Sequence, residues 1–173
     1  MNTIEWKGIY PALLTPFDAN DQIDFKLFEK NLEAQIEAGI DGIVLGGSLG
    51  EASTLSNLEK RELLSQASKM VNNRLPVISN IAERSTAEAI KCAQNAEKDG
   101  ADGIMLLPPL QYKADERETL EYFRTIASNT SLPIMIYNNP YDYKIEVTLD
   151  MFEKLTELPS IQAVKESTRD VTK

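Results

Sequence analysis

The stretch AGIDGIVL (residues 38–45) returns further along the chain as DGADGIML (residues 99–106). Each copy reads as the glycine-marked end of a helix, a tight turn and a short apolar run of strand character. Working outward from the pair, further apolar runs of the same kind stand at 8–14 (GIYPALL), 76–81 (PVISNI), 133–138 (PIMIYN) and 161–165 (IQAVK), beside 42–46 (GIVLG) and 103–107 (GIMLL). The dipeptide Leu-Pro opens three of them, at Leu75, Leu132 and Leu158. These runs recur roughly every thirty residues, the length of one strand, one helix and their loops, which predicts consecutive right-handed βαβ units in a parallel sheet.

Between the runs the period changes to that of a helix. In FKLFEKNLEAQIEAG, Phe25, Phe28, Leu32 and Ile36 share one face, Asp24 is the expected N-cap and Gly39 the stop. STAEAIKCAQNAEKDG and DERETLEYFRTIASN read alike, with Ser85 and Asp115 as caps. Asp18, Asp21 and Asp24 stand three apart, but a calcium loop needs alternate ligands and a central glycine, so turn and cap chemistry accounts for them and no metal site is expected.

A doubly wound sheet and a (β/α)8 barrel both satisfy this alternation. No G-x-G-x-x-G follows the first run, and polar residues gather at the C-terminal ends of several runs: Thr15, Ser48, Tyr137 and Lys165. Both details favour the barrel. A barrel needs eight strands and about 250 residues, whereas six strands are legible here. Residues 1–173 are therefore expected to form the N-terminal part, about six βα units, of a single barrel domain in a longer chain.

Composition narrows the chemistry. Apolar residues make up 42% and charged residues 26%, as in a globular protein. No run of eighteen apolar residues and no leader-like start is present, so the expected address is the cytoplasm, without membrane contact. The net charge of −9, with no basic cluster, argues against nucleic acid as a partner. Cys92 is the single cysteine, expected in or near the core, with no intramolecular disulfide open to it. Histidine is absent, which removes Ser-His-Asp and Cys-His systems and imidazole-ligated zinc. Acid and base work must then fall to Lys, Tyr, Asp, Glu or water.

LPSIQAVKESTRD (residues 158–170) carries a lysine, Lys165, at the close of an apolar run. A solvated loop lysine is the ordinary reading. Three stretches speak for another: VLGGSLGEASTLS (44–56), YNNP (137–140) and AVKES (163–167) resemble the signatures of the dihydrodipicolinate synthase and N-acetylneuraminate lyase family of class I, Schiff-base-forming aldolases. The physical reading agrees. Ile161, Ala163 and Lys165 alternate onto one face. If that face lines a barrel, a poorly hydrated pocket disfavours the ammonium and leaves an amine able to attack a carbonyl. Tyr137 ends the neighbouring run, and strands lie about 4.8 Å apart, so its hydroxyl is placed to pass protons at the carbinolamine; the plainer alternative is an aromatic packed in the core. Gly47, Ser48 and Leu49, in a glycine-rich turn expected to enter a helix, offer N–H groups and a hydroxyl to a substrate carboxylate. An ordinary turn is the alternative there.

The resemblance implies a lyase with no cofactor beyond the covalent lysine adduct, a small 2-oxo or 2-imino acid as substrate, and a homo-oligomer, dimer or tetramer. It also shows departures. Family members of the synthase type carry a second hydroxyl residue where Leu49 stands, a tyrosine pair where Leu110 and Gln111 stand, with Tyr112 one place on, and a carboxylate-binding arginine where Asp142 stands. Gln111, Tyr112 and Asn139 are further candidates for the site. This pattern looks closer to the branch that deaminates 1-pyrroline-4-hydroxy-2-carboxylate. There Lys165 would attack C2 of the cyclic imine, with loss of the C4 hydroxyl and then of ammonia. A pyruvate-dependent synthase or aldolase is the second expectation, and a barrel that binds a 2-oxo acid without turnover the third. A phosphate-handling barrel would place its phosphate after strands not legible here.

Overall fold

The computed structural model describes residues 4–170 and 172. Helices and strands alternate as expected: α1 (Phe25–Glu37), β1 (Ile43–Leu45), α2 (Asn57–Val71), β2 (Val77–Ile81), α3 (Thr86–Lys98), β3 (Gly103–Leu106), α4 (Glu116–Ala127), β4 (Ile134–Asn138), α5 (Pro140–Tyr143), α6 (Leu149–Leu155) and β5 (Ile161–Glu166). The strands form one sheet in the order β1-β2-β3-β4-β5, and the β1–β2, β3–β4 and β4–β5 ladders are parallel. Sequence neighbours are therefore sheet neighbours throughout, the order that successive right-handed crossovers produce when they always advance in one direction.

One expected strand is reduced. GIYPALL contributes only a single parallel bridge, Ala12 to Val44, flanked by hydrogen bonds of 2.9 Å from the Leu13 N–H to the Val44 carbonyl and from the Val44 N–H to the Pro11 carbonyl. Pro11 has no N–H to extend the ladder. Gly8, at φ +85°, breaks the extended path just before it, and the Ile9 N–H goes to the Asp41 carboxylate at 2.7 Å. The six βα units expected thus appear as five strands and a bridge. Helices α2, α5 and α6 were not among the segments singled out by period.

The chain divides into two compact units, the described residues up to Asn80 with Asn95–Gly103, and Ile81–Gln94 with the described residues from Ile104 onward. In the first, α1 packs on α2: Phe28 and Leu32 are buried from α1, and Leu63, Leu64, Ala67 and Val71 from α2. Asp24 caps α1 by accepting from the Leu27 N–H, and Gly39, at φ +85°, closes it. Arg74 grips the Glu33 carboxylate with both terminal nitrogens, and Arg61 grips Asp99 at 2.6 and 2.8 Å. The aspartates of the loop before α1 serve the backbone: Asp18 accepts from the N–H groups of Asn20 and Gln22, bonds that hold its carboxyl below the usual range, Gln22 first.

In the second unit, Phe123, Ile126, Leu132, Ile134, Ile136, Val147 and Leu155 are fully buried. Helix α4 lies on α6, with a 2.7 Å ion pair between Lys154 and Glu116 at their surface. Asp115 and Glu118 form a reciprocal capping box at the start of α4, and Ser85 accepts from the Glu88 N–H at the start of α3. Cys92 is half-buried on α3, beside the buried Ala93. Replacing Asp115 with alanine leaves the Glu118 N–H of the first turn without its side-chain partner. Asp115→Ala is expected to cost about 1 kcal/mol, read from urea unfolding monitored by circular dichroism.

Candidate active site

The lysine and the tyrosine meet across the β4–β5 ladder. Pairing begins at Ile134 and Ile161, but Met135 faces Ala163, so β5 carries one extra residue over that step. Because side chains alternate with a period of two, a one-residue shift exchanges the faces of everything beyond it. The shift brings Tyr137 opposite Lys165 and Asn138 opposite Glu166. Parallel partners point the same way, and the Lys165 Nζ stands 4.4 Å from the centre of the Tyr137 ring. A cation over the face of a phenol is attracted by the ring quadrupole.

Three contacts hold that ring. Lys165 covers its face, Tyr143 meets it edge-on at 5.7 Å and 82°, and Asn139 Nδ2 donates to its hydroxyl oxygen at 3.2 Å. Asn139 also caps the short helix α5, accepting from the Asp142 N–H, while its Nδ2 donates to Asp142 Oδ2 at 2.6 Å. Asp142, at the position where relatives of the synthase type are expected to carry arginine, therefore has its carboxylate engaged by an amide of its own loop. On the other face of the ladder, Asn138 is fully buried and bonds Val147 through both its carbonyl oxygen and its amide nitrogen, at 2.9 and 3.0 Å. The same amide nitrogen reaches the Glu166 carboxylate at 2.9 Å, and that carboxylate accepts from the Ser167 and Thr168 N–H groups. One strand residue thus faces Lys165 and the next anchors the strand end.

Lys165 is half-buried, as are Ile161 and Ala163 on its face. The poorly hydrated pocket expected around the amine is only partly built by the described residues, because β5 ends the sheet and has one neighbour.

In the first unit, Gly47, Ser48 and Leu49 follow β1, but they do not enter α2 as expected. Ser48–Gly50 form one 3₁₀ turn, Glu51 adopts a left-handed conformation at φ +66°, and α2 begins later, behind its own capping box from Ser56 and Glu59. The Gly47 carbonyl gathers the N–H groups of Gly50 and Ala52 at 2.9 and 3.1 Å. Two bonds brace the turn from outside: Thr15 Oγ1 donates to the Gly50 carbonyl at 2.9 Å, and Asn80 Nδ2 donates to the Gly46 carbonyl at 2.8 Å. Ser48 and Leu49 are exposed at the start of the 3₁₀ turn. Leu49 is 72% exposed, an apolar side chain offered to whatever occupies the turn.

Gln111 is exposed in the loop before α4. Tyr112 turns to a groove beside α4 with Thr86, Pro109 and Arg117, and neither Lys165 nor Tyr137 lines it. Neither residue is brought to the Tyr137–Lys165 pair. Tyr143, Asn138, Glu166, Thr15-to-Gly50 and Asn80-to-Gly46 are the contributions not foreseen. An asparagine is depleted in strands, so Asn80 and Asn138 at the ends of β2 and β4 are the two whose position carried a signal. Among the described residues there is no cluster of metal-ligating side chains and no helix long and apolar enough to cross a membrane.

The sequence matches the dihydrodipicolinate synthetase family over residues 5–173. A 4-hydroxy-tetrahydrodipicolinate synthase of Exiguobacterium sibiricum is 36% identical over 167 residues, 96% of this chain and 57% of the relative. The solved 4-hydroxy-tetrahydrodipicolinate synthase of Methylacidiphilum fumariolicum SolV superposes with a TM-score of 0.94 at 38% identity, covering 97% of this chain and 56% of that one. A prophage protein of the dihydrodipicolinic acid synthase family from E. coli K12, solved with pyruvate, gives 0.92 at 30% identity, covering 96% and 56%. The chain thus spans a little over half the length of the curated relatives it matches. Its strand–helix alternation is that of the (β/α)8 barrel, in part. Members of the family are class I aldolase-type lyases that form a covalent lysine–pyruvate Schiff base and need no external cofactor.

The two glycines of the turn should answer differently to a methyl group. At Gly47, with φ −71°, a Cβ would meet only the Ala12 Cβ at 3.9 Å, whereas at Gly50 it would press to 2.7 Å on the Leu13 carbonyl oxygen. Gly47→Ala is expected to leave the melting temperature nearly unchanged and Gly50→Ala to cost about 1–3 kcal/mol, compared by thermal unfolding. By this sequence, fold and site, the chain belongs to the dihydrodipicolinate synthetase family.

Proposed function

We propose that this chain carries the nucleophile of a Schiff-base lyase acting on a small 2-oxo acid, pyruvate in the first instance, with Lys165 as nucleophile and Tyr137 as proton carrier. The observation that carries the reading is the alignment of the two residues across β4 and β5, amine over phenol. The Lys165 amine attacks C2 of the 2-oxo acid and gives a carbinolamine. Tyr137 passes its proton to the carbinolamine oxygen, which leaves as water, and the iminium remains on the lysine. Loss of a C3 proton then gives an enamine, the carbon nucleophile of an aldolase. Gly47, Ser48 and Leu49 are the proposed rest for the substrate carboxylate, while Gln111 and Tyr112, set in the loop before α4, are given no part in it. The reading of residues 1–173 as part of one barrel domain is in keeping with their share of the relatives' length.

A second reading keeps the same adduct and changes the bond broken. Asp142 has its carboxylate tied to Asn139, and Leu49 supplies no hydroxyl, so neither serves an anionic aldehyde as the synthase pattern would. Deamination of a hydroxylated cyclic 2-imino acid such as 1-pyrroline-4-hydroxy-2-carboxylate suits such a surface. The synthase names of the relatives support the first reading over this one.

The test is reductive trapping. The full-length protein incubated with pyruvate and borohydride is expected to gain the mass of one reduced pyruvyl group on the peptide bearing Lys165, and Lys165→Ala to gain none. The pyrroline acid offered in parallel, with release of ammonia followed, separates the two substrates. Thermal stabilisation by pyruvate with no trapped adduct on Lys165 would overturn the enzyme reading in favour of a binding protein.

A further inference from the structure

We propose that Asn139 is a positioning residue for the Tyr137 phenol, aiming one amide hydrogen at the phenol oxygen so that the hydroxyl's own proton is kept for transfer. The inference rests on the proton role given to Tyr137 above and adds a residue to it.

Only one orientation of the Asn139 amide satisfies its neighbours. Its Oδ1 accepts from the Asp142 N–H at 3.3 Å, so Nδ2 must turn to the other two. One of those is the Asp142 carboxylate, 2.6 Å away, which can only accept. The second hydrogen of Nδ2 is then directed at the Tyr137 hydroxyl oxygen, 3.2 Å away. An amide nitrogen has two hydrogens, and both are committed.

The consequence lies in what the phenol keeps. A hydroxyl has one hydrogen and two lone pairs. With one lone pair filled by Asn139, the oxygen cannot spend its hydrogen on that neighbour, and the hydrogen stays available to a group beside Lys165. A donor aimed at the oxygen also favours the moment at which the proton has left and charge develops there. Asp142 acts one step back, since its grip on the other amide hydrogen prevents Asn139 from rotating its carbonyl toward the phenol. Buried at 4% exposure, Asn139 has no solvent to take over the bond.

The experiment is a double-mutant cycle in the full-length protein, read as the rate at which borohydride traps pyruvate on Lys165. Asn139→Asp retains an oxygen to cap α5 but replaces the donor with an acceptor. It is expected to slow trapping by about ten-fold or more, with the half-saturating pyruvate concentration within about two-fold. In the Tyr137→Phe background, which has no phenol oxygen, the same change is expected to alter the rate by less than about two-fold. Equal losses in both backgrounds would overturn the inference and leave the role of Tyr137 standing, because a loop defect multiplies with any other. Unchanged trapping in Asn139→Asp alone would overturn it as well. Unchanged trapping in Tyr137→Phe would overturn both this inference and the proton role beneath it. Should the aspartate, beside Asp142, prevent folding, Asn139→Ser keeps a capping hydroxyl too short to reach the phenol and carries the same comparison.

Discussion

The arrangement depends on one offset in a ladder. Between Ile134 and Met135 of β4, strand β5 advances by an extra residue, and everything downstream follows from that step. Without it Tyr137 would stand opposite Val164, and the amine and the phenol would project from opposite faces. With it, Lys165 covers the Tyr137 ring, and Asn138 and Glu166 find one another on the far side. A parallel ladder is well suited to fixing such a pair, since its hydrogen bonds hold both strand ends while the side chains stand side by side.

Rigidity around the pair comes from short-range chemistry more than from bulk. The loop after β4 is held by Asn138 at its root, capped by Asn139 at its first turn and packed through Tyr143 onto the Tyr137 ring. The turn after β1 is held by Thr15 and Asn80 through carbonyl oxygens, leaving the glycine backbone fixed although its outer side chains are exposed. In both places side chains bond the backbone of a loop, which would otherwise have few partners for its polar groups.

Much of this was legible in the sequence where a pattern repeats or a cap has its own chemistry. The thirty-residue return of apolar runs found β1 to β5 to within a residue or two, and Asp24, Ser85 and Asp115 cap the helices they precede. The alternation of Ile161, Ala163 and Lys165 held because the register shift lies at its first residue. What failed depended on the backbone. GIYPALL has a strand's composition but a proline in place of a donor, and the glycine-rich turn closes on itself in a 3₁₀ turn instead of running into α2. Helix α2 escaped notice although Ser56 and Glu59 spell a capping box, because its apolar residues are interleaved with charge. Asn139 was visible as a residue but not as a donor, since nothing in YNNPYD tells which neighbour its amide will face.

Asn138 has a consequence of another kind. By tying its own side chain to both backbone groups of Val147, it makes the segment from 139 to 146 a closed clip whose shape is set at its base. The tip of that clip, with Tyr141 at 55% exposure and Lys144 exposed beside it, can change in sequence without disturbing the residues at the root. Variation at that tip therefore leaves in place the bonds by which Asn138 closes the loop, so its outer surface is free to diverge while the fold of its base is inherited intact.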